Sequence, residues 1–309
     1  MKSIKTVIIT GATGYIGSNI ARRLHEEGYE VHIIVRTKSS LDLITDIEKD
    51  IFIHQYVEDA EKLLEMFRKI RADVVIHLAG MFVSEHKKEQ VEGLLQANVI
   101  FSTQILQATV ESGMKYFINT GTNWQNYCGE QYNPVNLYAA TKEAFKDILL
   151  YYTKTSQLRT ITLKLLDTYG PFDPRKKIMS LFSKIAVTGE QLDMSKGEQE
   201  LGLVYIEDVI KAYMIALDKI TTMKEHDNKT YLVSPKEIYT LKQIATIFED
   251  VSGKTLHIHW GKRAYREREV MKIIMCFPNI LEEVNTLSLN EGIKKMLELE
   301  SNKIKEMRT

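Results

Sequence analysis

A glycine-rich turn between a strand and a helix constrains the fold of this chain more than any other feature. Residues 6–10 are all β-branched, as is typical of a buried strand, and a helical pattern begins at Tyr15. Between them, Gly11 permits a tight turn, Gly14 lets the backbone approach a pyrophosphate, and Gly17 allows close packing of helix on sheet. The segment predicts a dinucleotide site at the helix N-terminus, with contacts from Gly11, Thr13, Gly14, Tyr15, Ile16 and Gly17.

The residues after the second predicted strand indicate which dinucleotide binds. NAD sites usually carry an acidic residue at this point, whereas NADP sites carry a cation for the 2′-phosphate. Here Arg36, Lys38 and Ser39 follow the strand, and a guanidinium holds a phosphate through paired hydrogen bonds. We therefore predict NADP(H), with these three residues at the phosphate. A basic residue at a strand end that is simply solvated remains the alternative.

Strand-like and helix-like segments alternate over the first 170 residues, which predicts a parallel sheet covered by helices on both faces. We expect an α/β fold, with a doubly wound Rossmann domain over residues 1–170 that binds the cofactor. After Gly170-Pro171 the pattern is less regular, and residues 171–309 are predicted to form a smaller α/β lobe that binds substrate. Segments near 202–218 and 229–234 are expected to return to the first domain.

Charge and cysteine content exclude several classes of protein. Lys+Arg and Asp+Glu both number 41, so no net field attracts nucleic acid or a membrane surface. The two cysteines, Cys128 and Cys276, match no metal-ligand spacing, and we predict no metal site. Charges interrupt every apolar stretch, and the first strand-like run begins at residue 4, which leaves no room for a signal peptide. We expect a cytoplasmic protein with neither nucleic-acid nor membrane partners.

Tyr138 and Lys142 are four residues apart in a run of helical period, so their side chains share one helix face. An ammonium beside a phenol stabilises the phenolate and lowers its pKa from about 10, which makes the tyrosine a usable general acid. Upstream, Thr122 follows a predicted strand at the edge where ligands bind, and its hydroxyl can orient a substrate carbonyl. The alternatives are an ordinary helix face of mixed residues and a turn-forming Thr/Asn cluster.

With these residues in place, the chain resembles the extended short-chain dehydrogenase/reductase family. The features that carry the resemblance, in order, are the glycine-rich turn, His77-Leu78-Ala79-Gly80, Thr122, Tyr138 with Lys142, and Thr168-Tyr169-Gly170-Pro171. The resemblance implies a Thr–Tyr–Lys catalytic triad and a nicotinamide cofactor that Leu78, Ala79, Gly80, Tyr138 and Lys142 contact. It also implies a nucleotide-diphosphate sugar as substrate.

Within that family, the 4,6-dehydratases carry an Asp-Glu pair directly after the threonine. Here Asn123 and Trp124 stand in those places, and neither titrates usefully, which argues against dehydration. Residues 120–125, 132–142, 197–200 and 204–209 resemble the CDP-paratose and CDP-abequose synthases. That resemblance implies NADPH-dependent reduction of the 4-keto group of a CDP-linked 3,6-dideoxyhexulose, or of a related 4-keto-6-deoxy sugar, in the synthesis of surface polysaccharides such as O-antigen.

The resemblance implies further substrate contacts, from Thr122, Asn123, Trp124, Arg263 and Arg266. The two arginines are expected at the diphosphate, although a Lys/Arg-rich loop is nearly as often a solvated surface. One departure concerns the family's Arg-x-x-Asn, where this chain has Lys164 and Asp167. An aspartate near a diphosphate is repulsive unless it is paired.

Two other functions remain open. An NAD-dependent nucleotide-sugar 4-epimerase shares the motifs, although Arg36 argues against it, and an NADP-sensing regulator shares the fold but typically lacks the tyrosine–lysine pair. We also expect a homodimer through the helices predicted over residues 93–112 and 138–152. The alternative is that Phe101, Ile105 and Leu106 belong to the core.

Overall fold

The computed structural model describes residues 4–306, which divide into two compact units. The first unit ends at Leu165 and also contains Ile210–Leu232. The second unit contains Leu166–Val209 and the chain from Val233 onward. The sequence-based division at 170 differs from this boundary by one short strand, Asp167–Tyr169, which pairs with Leu203–Tyr205 inside the second unit.

The chain forms nine α-helices and thirteen strands within the described residues. The helices are α1 Tyr15–Glu26, α2 Ala60–Ile70, α3 Val91–Leu95, α4 Phe101–Glu111, α5 Leu137–Thr155, α6 Ile178–Thr188, α7 Ile206–Thr221, α8 Leu241–Ser252 and α9 Leu289–Glu306. The strands are β1 Thr6–Thr10, β2 Glu30–Val35, β3 Phe52–Gln55, β4 Val74–His77, β5 Tyr116–Thr122, β6 Arg159–Leu165, β7 Asp167–Tyr169, β8 Leu192–Met194, β9 Glu200–Leu201, β10 Leu203–Tyr205, β11 Asn228–Val233, β12 Tyr239–Thr240 and β13 Ile258–Trp260.

A seven-stranded sheet forms the first unit, in the order β11-β6-β5-β4-β1-β2-β3. The pairs from β6 across to β3 are all parallel. The central strands are runs of Val and Ile that are buried on both faces, which is the pattern of a parallel sheet covered by helices. This architecture confirms the predicted α/β Rossmann fold. The strand order reverses between β1 and β4, the point at which such sheets open a ligand crevice.

The hydrophobic core of the first unit lies where α2, α4 and α5 cover the sheet. Ile8, Val75, Phe117 and Phe145 are fully buried in it, and Ile105 and Leu106 of α4 join them. These two α4 residues are therefore core, as the alternative in the sequence analysis supposed. Ridge-into-groove packing of the helices on the strands fixes where α5 lies relative to the end of β5.

The second unit is built from three two-stranded sheets and the helices α6, α8 and α9. The pairs are β10 with β7, β12 with β9, and β13 with β8. Tyr169 and Tyr205 meet edge to face at 5.4 Å between ring centroids, and Phe182 and Phe248 at 5.7 Å. A Cβ on Gly292 of α9 would lie 2.0 Å from the Tyr169 hydroxyl, so only glycine lets this helix approach so closely.

Over residues 4–306, none of the helices has both the length and the apolar character needed to cross a membrane.

Candidate active site

The glycine-rich turn joins β1 to α1 at the carboxyl edge of the sheet. Gly11 has a φ of +77°, and a Cβ there would lie 2.6 Å from the backbone nitrogen of Ala79. A Cβ on Gly17 would lie 2.2 Å from the carbonyl oxygen of Gly11, so the first turn of α1 lies directly against the loop. Gly14 is the N-cap, and the first helical turn carries no acidic side chain. The amides at this helix end therefore suit an anion, and the turn fits a dinucleotide.

The other predicted cofactor residues follow neighbouring strands at the same edge. Thr10 at the end of β1 is level with His77 at the end of β4, and β2 runs parallel on the other side. Strands lie about 4.8 Å apart, so the loops after β2 and β4 are about 10 Å apart across β1. Thr13 lies within the turn, Tyr15 and Ile16 open α1, Arg36, Lys38 and Ser39 follow β2, and Leu78, Ala79 and Gly80 follow β4.

Helix α5 carries Tyr138 and Lys142. It begins where it does because Asn136 caps it, accepting a hydrogen bond from the Ala139 N–H at 2.9 Å. Tyr138 is partly exposed in the first turn, whereas Lys142 is only 4% exposed. Because burial penalises the charged amine, the pKa of Lys142 is lowered to about 8. A Cβ on Gly80 would lie 3.2 Å from the Lys142 Nζ, so the loop after β4 passes directly beside the amine.

Thr122 ends β5 and begins a short turn, Asn123–Gln125, that contains Asn123 and Trp124. The Trp124 N–H donates a hydrogen bond to the Thr122 Oγ1 at 3.3 Å. A hydroxyl has one hydrogen and two lone pairs, so this contact uses an acceptor site and leaves the O–H able to donate. Thr122 can therefore donate a hydrogen bond to a carbonyl oxygen, the role predicted for it.

Sequence reasoning missed Asn98, which is fully buried in the π-helical segment Gln96–Ile100 between α3 and α4. Its Oδ1 accepts a hydrogen bond from the Met81 N–H at 2.7 Å. Its Nδ2 donates to the Met81 carbonyl at 3.0 Å and to the Thr141 Oγ1 at 2.9 Å. Asn98 thus ties the loop after β4 to α5, next to Lys142. A widened helical turn of this kind is common at functional sites, but no sequence pattern predicts it.

His77 is a second buried polar residue behind the site. Its Nδ1 lies 2.7 Å from the Thr10 Oγ1, and its Nε2 lies 2.8 Å from the Ser102 Oγ. Burial lowers the pKa of His77 well below its ordinary value, and the positive charge of Lys142 lowers it further. A neutral imidazole that bridges β1, β4 and α4 is therefore structural.

Tyr138, Phe82 and Trp124 form a chain of three neighbouring aromatic rings. The rings of Phe82 and Tyr138 are edge to face, with centroids 5.0 Å apart. The Phe82 and Trp124 centroids are 5.8 Å apart. Phe82 is 49% exposed, so part of its ring presents apolar surface to solvent. No sequence pattern points to Phe82, because it lies in an irregular loop.

The remaining predicted substrate residues lie elsewhere. Arg263 is exposed after β13, and Arg266 forms a two-point ion pair with Glu269, at 2.5 Å and 3.0 Å. Asp167 is paired with Lys177 at 2.9 Å, which removes the repulsion expected of an unpaired aspartate. All three charged sites belong to the second unit.

The phenol of Tyr138, the buried amine of Lys142 and the donor hydroxyl of Thr122 lie near the carboxyl edge of the sheet. The turn suited to a dinucleotide lies at the same edge. Such a set suits proton transfer to a carbonyl oxygen during hydride transfer. The match to a family model decides the family. The model for the "NAD dependent epimerase/dehydratase family" matches residues 7–233. The chain belongs to this family.

Relatives within the epimerase/dehydratase family cover nearly the full chain. CDP-abequose synthase of Yersinia pseudotuberculosis is 28% identical over 294 residues, covering 94% of this chain and 99% of that protein. CDP-abequose synthase of Salmonella muenchen is 24% identical, covering 96% and 98%. The chain is thus a member of the epimerase/dehydratase family that is related to CDP-abequose synthase.

Solved structures show the same fold. UDP-glucose 4-epimerase of Thermotoga maritima, solved with UDP-glucose, has a TM-score of 0.84 at 22% identity and covers 97% of this chain and 99% of its own. UDP-glucose 4-epimerase of Thermus thermophilus, solved with NAD, has a TM-score of 0.76 at 21% identity and covers 95% and 98%. Within residues 4–306, no three His, Cys, Asp or Glu side chains cluster as metal ligands.

Proposed function

We propose that the protein reduces the 4-keto group of a nucleotide-linked deoxyhexulose, with CDP as the favoured nucleotide and NADPH as the hydride donor. The observation that carries the proposal is the placement of Tyr138 and Lys142 on α5 together with the donor hydroxyl of Thr122 at the end of β5. Each supplies a function that carbonyl reduction needs.

A nicotinamide cofactor held by the glycine-rich turn and the loops after β2 and β4 would supply a hydride to the carbonyl carbon. Thr122 donates a hydrogen bond to the carbonyl oxygen, which orients the group and polarises it. Tyr138 gives its proton to the same oxygen as negative charge develops there, and the product is an alcohol. Lys142 lies one helical turn from Tyr138, where its ammonium stabilises the phenolate and would donate to the ribose of a bound nicotinamide cofactor.

Arg36 supports NADPH over NADH. It is exposed directly after β2, and its backbone N–H is held by the Ser39 Oγ at 3.2 Å, which orders the short loop that also carries Lys38. Two cations and a hydroxyl on one loop match the charge and the acceptor oxygens of a 2′-phosphate.

The aromatic rings near Tyr138 support a deoxygenated sugar. The Phe82 ring, with its centroid 5.0 Å from that of Tyr138, offers apolar surface next to the phenol, and the Trp124 ring lies 5.8 Å from Phe82. A ring carbon that lacks a hydroxyl group loses no hydrogen bond when it is covered by such a surface, whereas a hydroxyl would be desolvated. The CDP-abequose synthases among the relatives support the same class of substrate.

The second unit supports a site for the nucleotide diphosphate. We assign the diphosphate to the exposed Arg263, with Arg266 alongside it. Arg266 is already paired with Glu269, so its charge is partly compensated and Arg263 is the stronger candidate.

A homodimer through the α3–α4 and α5 faces is part of the proposal. Leu95 at the end of α3 and Ile100 just before α4 are 43% and 46% exposed, and Leu150 and Tyr151 of α5 are 42% and 62% exposed. Exposed apolar residues grouped on adjacent helices are typical of subunit interfaces.

A second candidate function is 4-epimerisation, favoured by the structural similarity to UDP-glucose 4-epimerases. An epimerase returns its hydride to the same substrate, so it needs no added reductant.

One experiment separates the two functions. Purified protein is incubated with CDP- and dTDP-linked 4-keto-6-deoxy and 3,6-dideoxy sugars, with NADPH or with NADH, and the products are analysed by mass spectrometry and NMR. We expect one NADPH oxidised per alcohol formed, with the CDP-linked 3,6-dideoxy substrate preferred. Tightly bound NAD after purification, with interconversion of 4-epimers and no use of added NADPH, would establish the epimerase instead.

A further inference from the structure

We propose that Gln125 is a positioning residue that fixes Thr122 relative to the helix carrying Tyr138. The proposal rests on the function proposed above, because it concerns the orientation of the donor hydroxyl in that reaction. It assigns the role to a side chain that acts through its hydrogen bonds to Thr122 and Glu143.

The amide of Gln125 is fully buried and is fixed at both ends. Its Oε1 accepts a hydrogen bond from the Thr122 N–H at 2.8 Å, and its Nε2 donates to the Glu143 Oε2 at 2.6 Å. An amide can satisfy both contacts in only one orientation, since a carboxylate accepts and an N–H donates. A Cβ on Gly121 would lie 2.6 Å from the Oε1, so the glycine leaves space for this amide.

Glu143 is itself held by two cations. Lys146 forms an ion pair with its Oε1, and Lys164 Nζ lies 3.8 Å from its Oε2. Lys164 is fully buried and also donates to the Asn126 Oδ1 at 2.5 Å. Buried charges are stable only when they are paired, so the network permits one arrangement. The lysine at the family's sugar-contacting Arg-x-x-Asn segment therefore serves this network.

The network joins two elements that must agree in position for catalysis. Thr122 and Gln125 lie at the end of β5, whereas Glu143 follows Lys142 directly on α5. Thr122 and Gln125 also form a capping box, in which each satisfies the backbone of the other. A capping box alone stabilises the turn. The additional bond from Gln125 to Glu143 is what ties that turn to the helix carrying Tyr138.

Gln125→Glu separates these two roles. A glutamate preserves the capping box, since its oxygen still accepts from the Thr122 N–H. It loses the Nε2 donor and places one carboxylate against another, with Lys146, Lys164 and the Asn126 amide as the other groups that face the pair. We expect kcat to fall by about 10- to 100-fold at pH 8 with NADPH affinity unchanged, because small displacements of a positioning group cost rates of that size.

The pH dependence of kcat distinguishes the positioning role from the loss of a merely structural contact, which would not change that dependence. Two facing carboxylates share a proton as the pH falls, and the protonated one again donates to its neighbour. The ratio of wild-type to Gln125→Glu kcat should therefore shrink several-fold between pH 8 and pH 6. Exchanging the two groups in Gln125→Glu/Glu143→Gln keeps the net charge and restores a donor–acceptor pair, and it should recover part of the lost kcat at pH 8.

A double-mutant cycle tests whether Gln125 acts through Thr122. In a Thr122→Val background the hydroxyl is absent, so adding Gln125→Glu should change kcat by less than about twofold. Thr153→Val is the matched control. Thr153 is a buried polar residue of α5, the helix that also carries Tyr138, and it lies about 22 Å from Tyr138 along the helix axis at a rise of 1.5 Å per residue. It should lower stability with kcat unchanged.

A wild-type kcat in Gln125→Glu at every pH, or losses that multiply in the Thr122→Val background, would overturn the proposal. Failure of the wild-type protein to reduce any substrate would instead overturn the proposed function. In that case, hydrogen–deuterium exchange of residues 116–125, measured at pH 8, tests the positioning role without a catalytic assay. That exchange should be faster in Gln125→Glu than in the wild type and unchanged in Thr153→Val. Equal exchange in all three proteins would refute the positioning role.

Discussion

Replacing Lys142 with methionine should stabilise the fold while abolishing catalysis. The side chain is 4% exposed, and burial lowers the pKa of its amine from 10.5 to about 8. That difference corresponds to about 3 kcal/mol by which folding disfavours the charged form. Methionine has nearly the same length and carries no charge, so Lys142→Met removes this cost at neutral pH.

The direction in which pH changes the effect of Lys142 on the free energy of unfolding follows from these two pKa values. Above pH 10.5 the amine is neutral in both the folded and the unfolded chain, so Lys142 costs the fold nothing. Between pH 10.5 and about 8 the unfolded chain binds the proton and the folded chain does not, so stability falls as the pH falls. Below pH 8 both states are charged and the cost is constant. The advantage of Lys142→Met should thus be full at pH 7 and small at pH 10.

Urea unfolding of the cofactor-free protein, followed by circular dichroism, measures this effect. We expect Lys142→Met to raise the free energy of unfolding by roughly 2–3 kcal/mol at pH 7, against a typical total of 5–15 kcal/mol. Lys154→Met is the control, since Lys154 is an exposed lysine of the same helix, and it should change stability by less than about 0.5 kcal/mol. A Lys142→Met variant that is less stable than wild type, or whose advantage does not vary with pH, would refute the reasoning.

Four further predictions follow from the site. Tyr138→Phe keeps the ring but removes the proton donor, so kcat should fall by about 10²–10⁴-fold with NADPH binding intact, and near-normal turnover would exclude Tyr138 as the acid. Arg36→Asp should lower the preference for NADPH over NADH by about tenfold or more, with Arg23→Asp as an exposed control; an unchanged ratio of kcat/KM would show that Arg36 does not contact the 2′-phosphate. Phe82→Ala should raise KM for the sugar nucleotide about tenfold with a smaller change in kcat, because apolar contact is lost, whereas an unchanged KM would remove Phe82 from the sugar site. Ile100→Glu should convert a dimer to a monomer in light scattering with the circular dichroism spectrum unchanged, and a wild-type protein that is already monomeric at micromolar concentration would exclude the dimer.

The proposed catalytic pair and the proposed cofactor turn were accessible from the sequence because their geometry is local. Tyr138 and Lys142 share a helix face through their spacing alone, and Gly11, Gly14 and Gly17 sit at one strand–turn–helix junction. Within each of these two groups, the residues are only a few positions apart in the sequence. Any chain that forms these elements brings these groups together.

Phe82 and Asn98 could not be found in this way. Phe82 contacts Tyr138 across 56 positions of the chain, and Asn98 contacts Thr141 across 43. Both lie in segments without periodicity, a loop and a widened helical turn. Their contacts follow from how the helices pack on the sheet, which no local pattern encodes.

The sequence by itself determined the alternation of strands and helices over the first 170 residues, the α/β class, the site of the glycine-rich turn and the pairing of Tyr138 with Lys142. Hydrophobic periodicity and backbone conformational preference act over a few residues, so these features can be identified from the sequence alone. Only the tertiary structure decided that Lys164 turns to Glu143, that Asp167 is neutralised by Lys177, and that Gln125 links β5 to α5. Those contacts join side chains from separate elements, and a buried polar group takes whichever partner the packed helices and strands bring within hydrogen-bonding distance.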